Sequence, residues 1–313
     1  MNTRMLVAAD GSTEACGALL TARWLSEALG HEATVLTVLE PAGLHAAGSI
    51  PLSMRTDLLR TQSDVLRGMV TDQIRAFDPG AILGSVQVEV GSPARAIAEV
   101  ALREEAGLIV LGLGRHDALD RWAGREVALQ LTRLTHVPVL AVPRHVTGPL
   151  RRALVGIDFS SFGSRALRAL KDVLEPGAEV HLAHVIDLPS TGPGAWFDLH
   201  SASTSAAREA LQNIVEELEK ATDVRCTAHV QEGRAARELL ELAGKLQVDV
   251  IATGSHGLGF WSRLVLGSVS TAIIRGARCA VLVVPPAEVP AELRRESPEN
   301  SIETEPALVE VQR

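Results

Sequence analysis

The strongest constraint on this chain is that it writes one stretch of sequence twice. Gly91-Ser92-Pro93-Ala94-Arg95-Ala96-Ile97-Ala98-Glu99 returns 142 positions later as Gly233-Arg234-Ala235-Ala236-Arg237-Glu238-Leu239-Leu240-Glu241. The same offset of 142 carries Ile109-Val110-Leu111-Gly112 onto Ile251-Ala252-Thr253-Gly254, and Pro138-Val139-Leu140-Ala141-Val142-Pro143 onto Ala280-Val281-Leu282-Val283-Val284-Pro285. A unit that recurs in register over that span folds as two copies of one architecture. Near the front, Met5-Leu6-Val7-Ala8-Ala9-Asp10 matches Ala153-Leu154-Val155-Gly156-Ile157-Asp158 at an offset of 148, so the first copy holds six extra residues. The Pro-, Gly- and Ser-bearing region around 41–53 is the place for them, as a long loop.

Within each copy, short apolar runs alternate with amphipathic stretches. In the second copy the pattern predicts strands at 153–158, 179–185, 224–230, 248–253 and 279–284, and helices at 164–174, 203–221, 234–245 and 268–276. Five strands alternating with about four helices, joined by right-handed crossovers, make a doubly wound parallel sheet. The fold class expected is therefore α/β: two tandem Rossmann-like domains, each a five-stranded doubly wound parallel sheet with about four helices, over 1–147 and 150–286. Composition agrees: 46% of the 313 residues are hydrophobic and only 3% aromatic, with no Tyr. Cores of that kind are aliphatic, as a sheet covered on both faces requires. From 287 to 313 prolines are interspersed with glutamates. Such a stretch cannot bury enough apolar surface to offset its ordering entropy, so a disordered acidic tail is expected.

The apolar run Val248-Asp249-Val250-Ile251-Ala252 leads into Thr253-Gly254-Ser255-His256-Gly257, and nine residues further on Gly267-Ser268 stands where a helical pattern begins. Glycine lets main-chain N–H groups face an anion with no Cβ in the way, and a helix start adds unpaired donors and a favourable dipole. The segment predicts a cradle for a nucleotide or another phosphate; the plainer alternative is a pair of turns. Ligands of such sheets sit beyond the carboxyl ends of the strands. Asp158, Val185 and Gly254 all fall at predicted strand ends.

A net charge of −8 argues against a general nucleic-acid surface. Three scattered cysteines, Cys16, Cys226 and Cys279, form no C-x-x-C pair, which points away from a disulfide framework or a zinc site and toward a reducing compartment. No apolar stretch approaches the roughly 20 residues of a membrane span, and no basic-then-apolar leader opens the sequence. A cytoplasmic protein without a membrane or nucleic-acid partner is the expectation.

A strand ending in Asp, a strand reading His184-Val185-Ile186, and Gly254-x-x-Gly257 with Gly267-Ser268 together resemble the universal stress protein family in its nucleotide-binding branch. The resemblance spans both copies and so points to tandem-domain members. It implies a stress-response protein of regulatory or sensing role that binds ATP, with or without Mg²⁺, in its second domain. The Val185 backbone would meet adenine and Asp158 would lie by the adenosine. Gly254, Ser255, His256 and Gly257 would wrap ribose and phosphates, and Gly267, Ser268, Val269 and Ser270 would hold the phosphate tail. For Asp158, a strand-end turn former is an equal alternative. The family's last strand is a pairing edge, so the two copies would join along it as an internal pseudo-dimer, with further homodimerisation left open. Asp10-Gly11-Ser12 is the family's usual opening; Asp158-Phe159-Ser160-Ser161 departs from it.

The first copy fails the same test. At the 142 offset Gly112 is kept, but Arg115 stands for Gly257, Arg125 for Gly267 and Glu126 for Ser268. A carboxylate aimed at a phosphate is repulsive, and side chains replace the bare backbone. The first copy is expected not to bind ATP in this manner, and Arg115, Arg121 and Arg125 read as an exposed, solvated cluster.

Other motifs carry little. No G-x-x-x-x-G-K-[ST] exists, and Gly112-Leu113-Gly114-Arg115 lacks the third glycine of a dinucleotide fingerprint. His181 and His184 are three apart on a strand, so their side chains face opposite ways and cannot share a metal. His256 lacks an evident orienting partner for general-base work. No catalytic and no metal-binding residues are therefore predicted, and at most a weak ATPase activity. The competing classes are a slow ATP hydrolase or nucleotidyl-transfer enzyme on the same fold, and a nucleotide-free interaction scaffold.

Overall fold

Short aliphatic runs such as Val-Leu-Ala-Val and Ala-Val-Leu-Val-Val become strands because both of their faces are buried. The computed structural model describes residues 3–41, 52–78, 80, 82–114, 124–186, 196–255 and 267–286. The first repeat runs β1 (Arg4–Ala8), α1 (Cys16–Leu29), β2 (Glu32–Leu39), α2 (Leu52–Phe77), β3 (Val86–Val90), α3 (Pro93–Arg103), β4 (Leu108–Gly112), α4 (Gly124–Leu134) and β5 (Val139–Val142). The second runs β6 (Arg152–Gly156), α5 (Ser161–Leu170), β7 (Glu179–Ile186), α6 (Trp196–Ala221), β8 (Arg225–Glu232), α7 (Ala235–Leu246), β9 (Val250–Gly254), α8 (Ser268–Gly276) and β10 (Ala280–Val284).

All ten strands join one sheet in the order β3-β2-β1-β4-β5-β10-β9-β6-β7-β8. Pairing is parallel within each repeat. The repeats meet through one antiparallel seam, β5 on β10, with Leu282 opposite Leu140, Val283 opposite Val139 and Val281 opposite Ala141. This is the edge-to-edge junction that the resemblance implied, and it covers two aliphatic edges that would otherwise invite aggregation.

Helices cover both faces. Leu19 and Leu25 of α1, Val70 and Ile74 of α2, Leu170 of α5 and Leu211 and Val215 of α6 belong to the core on one face. Ile97 and Val100 of α3, Ala128 and Leu131 of α4, Leu239 of α7 and Ile273 and Ile274 of α8 belong to the core on the other. Each core runs through both repeats, so the seam lies inside the apolar interior.

Some expected boundaries shift. Leu52 and Ser53, read as loop, open α2, and the rest of the expected insertion falls outside the described residues. Helix α6 starts at Trp196 rather than 203, since each residue added to an existing helix gains a backbone bond. Helix α5 starts at Ser161 and ends at Leu170, short of the expected 174, where Val173 and Leu174 N–H groups both donate to the Leu170 carbonyl in a closing turn. The acidic stretch 287–313 lies outside the described residues. No helix among the described residues is long and apolar enough to cross a membrane.

Candidate functional site

β9, β6 and β7 lie side by side in the sheet, so their carboxyl ends bring Gly254, Asp158 and Val185 to one rim. Asp158 forms the turn that leaves β6: its Oδ1 accepts from the Ser160 N–H at 3.0 Å and from the Ser160 hydroxyl. The turn-forming alternative for this residue is thus realised, with only Oδ1 engaged among the described residues. Phe159, inside the turn, has φ 59°, which costs a bulky residue free energy that glycine does not pay. Its ring rests on His184, with centroids 4.6 Å apart. The His184 Nδ1–H donates to the Ile157 carbonyl at 2.8 Å. Val185 is half-buried and packs onto the α7–α8 core.

Two hydrogen bonds stitch the two glycine segments together. The Gly267 N–H donates to the Ser255 carbonyl at 2.8 Å, and the buried Ser270 hydroxyl donates to the Gly254 carbonyl at 2.6 Å. Ser270 therefore spends its hydroxyl on holding the loop ends together. Gly267 caps α8 with no side-chain cap, and Ser268 beside it is exposed. The first-turn N–H groups of α8 thus stand at the rim beside Gly254, where an anion gains from the helix dipole. His256 and Gly257 lie outside the described residues.

The first repeat builds the same turn and then fills the space above it. Asp10 Oδ1 accepts from the Ser12 N–H at 3.0 Å, and Gly11 takes φ 78° where the second repeat has Phe159. Glu14 lies over Gly114, whose added Cβ would stand 3.3 Å from the Glu14 side chain. The cavity lined by Asp10, Ser12, Glu14, Gly112, Gly114 and Gly124 is about 20 Å³, room for about one water. Gly124 was missed in the sequence. A Cβ there would collide with the Gly112 carbonyl oxygen and reach within 2.9 Å of the Gly114 nitrogen. The signal was available one position out of register: nine residues separate Gly114 from Gly124, as nine separate Gly257 from Gly267.

Arg125 corrects an expectation. It is half-buried rather than solvated, and its guanidinium points to the Ala277 carbonyl just past the end of α8, at 3.5 Å. Glu126 pairs with Arg275 of α8 at 3.2 Å. Arg125 and Glu126, which follow Gly124 in the first turn of α4, both reach across to the other repeat. Their partners lie about 150 residues away in sequence, which is why Arg125 read as solvated and Glu126 as aimed at a phosphate. Arg115 and Arg121 are outside the described residues.

Away from the rim, His181 and His229 share a hydrogen bond of 3.1 Å between Nδ1 and Nε2 on neighbouring strands. Burial lowers the pKa of both rings, with the second ring adding to the effect on His229. His184 faces the other side of the sheet, as the spacing required. Burial pushes the Cys279 and Cys226 thiols up to about 11, so both are protonated at neutral pH. No group of three His, Cys, Asp or Glu side chains that could hold a metal ion occurs among the described residues.

Two repeated doubly wound sheets joined edge to edge, with a glycine-lined rim, define a tandem Rossmann-like protein. The sequence model of the Universal stress protein family matches residues 1–143 and 149–285. The chain belongs to the universal stress protein family, and with it to the stress-response proteins. It is 27% identical to a universal stress protein of Mycolicibacterium smegmatis over 300 residues, 90% of this chain and 97% of that one. It is 32% identical over 123 residues to one from Methanocaldococcus jannaschii, covering 38% of this chain and 72% of that protein. The crystal structure of a universal stress protein from Archaeoglobus fulgidus superposes with a TM-score of 0.62 at 22% identity, over 90% of this chain and 96% of the other, a likeness of fold.

Proposed function

We propose that this chain binds ATP in its second repeat and serves the stress response as a cytoplasmic regulatory or sensing module rather than as an enzyme. The observation that carries this reading is the stitched pair of glycine segments at the start of α8, with Asp158 and Val185 on the next two strand ends. Main-chain N–H groups of Ser268, Val269 and Ser270 would receive the phosphate tail, with Gly254, Ser255, His256 and Gly257 around ribose and phosphates. The Val185 backbone would meet adenine, and the second oxygen of Asp158 would take a ribose hydroxyl. Mg²⁺, where present, would ride on the phosphates. The first repeat, with Glu14 and a water-sized cavity at the matching place, supports a division of labour in which it holds no nucleotide. We assign 1–147 and 150–286 as the two units and 287–313 as an appended acidic tail.

Equilibrium dialysis of ATP against wild type and Gly267→Glu tests the reading. Binding is expected in wild type and not in the variant, whose carboxylate would occupy the anion position. Equal binding by both ends the cradle assignment.

A further inference from the structure

We propose that Phe159, seated on His184, is the surface against which the base of the nucleotide stacks. This rests on the reading that the second repeat binds ATP, and it adds a recognition element that the glycine segments do not contain.

Phe159 holds a left-handed backbone at φ 59° and leaves 42% of its surface exposed. A large aromatic residue is strained in that backbone conformation and is only partly buried there. The same position in the first repeat is Gly11, at φ 78°, which adopts this conformation without strain. The fold of the turn therefore does not need a phenyl ring, and the core does not use it.

The ring is nonetheless held. It lies tilted at 41° on the His184 imidazole, and that imidazole is itself tied to the Ile157 carbonyl. Phe159 follows Asp158, and His184 precedes Val185, so the aromatic pair adjoins the two strand ends assigned to adenosine. The chain also contains its own control. The bonds from the Ala9 N–H to the Leu36 carbonyl and from the Ile157 N–H to the Ala183 carbonyl are equivalent in the two repeats, which makes Thr37 the counterpart of His184. The repeat with Glu14 in its cleft has Gly11 and Thr37, and the repeat with the glycine cradle has the aromatic pair. A partly exposed aromatic ring fixed on the rim that carries the glycine segments suits a flat base, and the larger ring system of a purine gains more from it than a pyrimidine does.

Dissociation constants for ATP, CTP and inorganic tripolyphosphate, measured on wild type, Phe159→Leu and Phe159→Gly, test this. Both substitutions are expected to weaken ATP about ten-fold, to shrink the preference for ATP over CTP, and to leave tripolyphosphate unchanged. Phe159→Gly should also raise the melting temperature, so weaker binding cannot be put down to a damaged fold. ATP affinity within two-fold of wild type in both variants would overturn the stacking role while leaving the cradle intact. So would an equal loss for tripolyphosphate, which would place the effect on the phosphates. A wild type that binds neither ATP nor tripolyphosphate would overturn the nucleotide reading and this inference with it.

Discussion

Glu126 of the first repeat and Arg275 of the second pair at 3.2 Å across the junction of α4 and α8. Both side chains remain substantially open to solvent, and exposed pairs of this kind contribute at most about 1 kcal/mol. The seam beneath them is different. Leu140 and Leu282 face each other across β5 and β10 with no exposed surface. Urea unfolding should show a loss under about 1 kcal/mol for Arg275→Ala and a loss of about 2–5 kcal/mol for Leu282→Ala. Similar losses for the two would mean that ion pairing rather than apolar burial holds the repeats together.

Gly124→Ala should destabilise the protein by about 1–3 kcal/mol, because its methyl group has to displace the backbone at Gly112 and Gly114. Gly148→Ala is the control, since a methyl group there meets no atom within 4 Å. A melting temperature for Gly124→Ala equal to that of the control would show that α4 shifts freely.

Stability should fall as the pH drops below 6.5, the ordinary value for histidine. Burial lowers the pKa of His136, His181 and His229 in the folded chain. Between pH 6.5 and those lower values the unfolded chain takes up protons that the folded chain refuses, so folding loses free energy there, and the loss levels off once both states are protonated. Well above pH 6.5, where the ring is neutral in both states, these groups contribute no slope. His229→Gln removes one such group and should flatten the dependence between pH 7.5 and 5.5. An unchanged slope would remove the His181–His229 pair from the explanation.

Much of the architecture was legible because it rests on local, repeated signals. The recurrence of Gly91–Glu99 at Gly233–Glu241 and the aliphatic strand runs were enough for two doubly wound units, and the last strands did join them. The rim was legible in part. The segments of Gly254 and Gly267 meet through Ser255 and Ser270, since a strand end and a helix start are visible in pattern. What stayed hidden depends on distant partners or on backbone angle. Arg125 finds the Ala277 carbonyl only once the sheet closes across the seam. Gly124 lies one position away from the register that aligned the flanking strands β4 and β5 with β9 and β10. Phe159 looked like a mere departure from Asp-Gly-Ser, because no pattern of apolar residues reports a positive φ or a ring laid on a histidine.

Since β5 runs against β10, the strands of the two repeats point opposite ways, and their openings look out from opposite sides of the molecule. A visitor to one side meets Asp158, Phe159 and Ser268, while a visitor to the other meets Asp10 and Glu14. Duplication followed by divergence has turned a symmetrical pair into a body with two unlike poles, joined at the waist by Leu140 and Leu282.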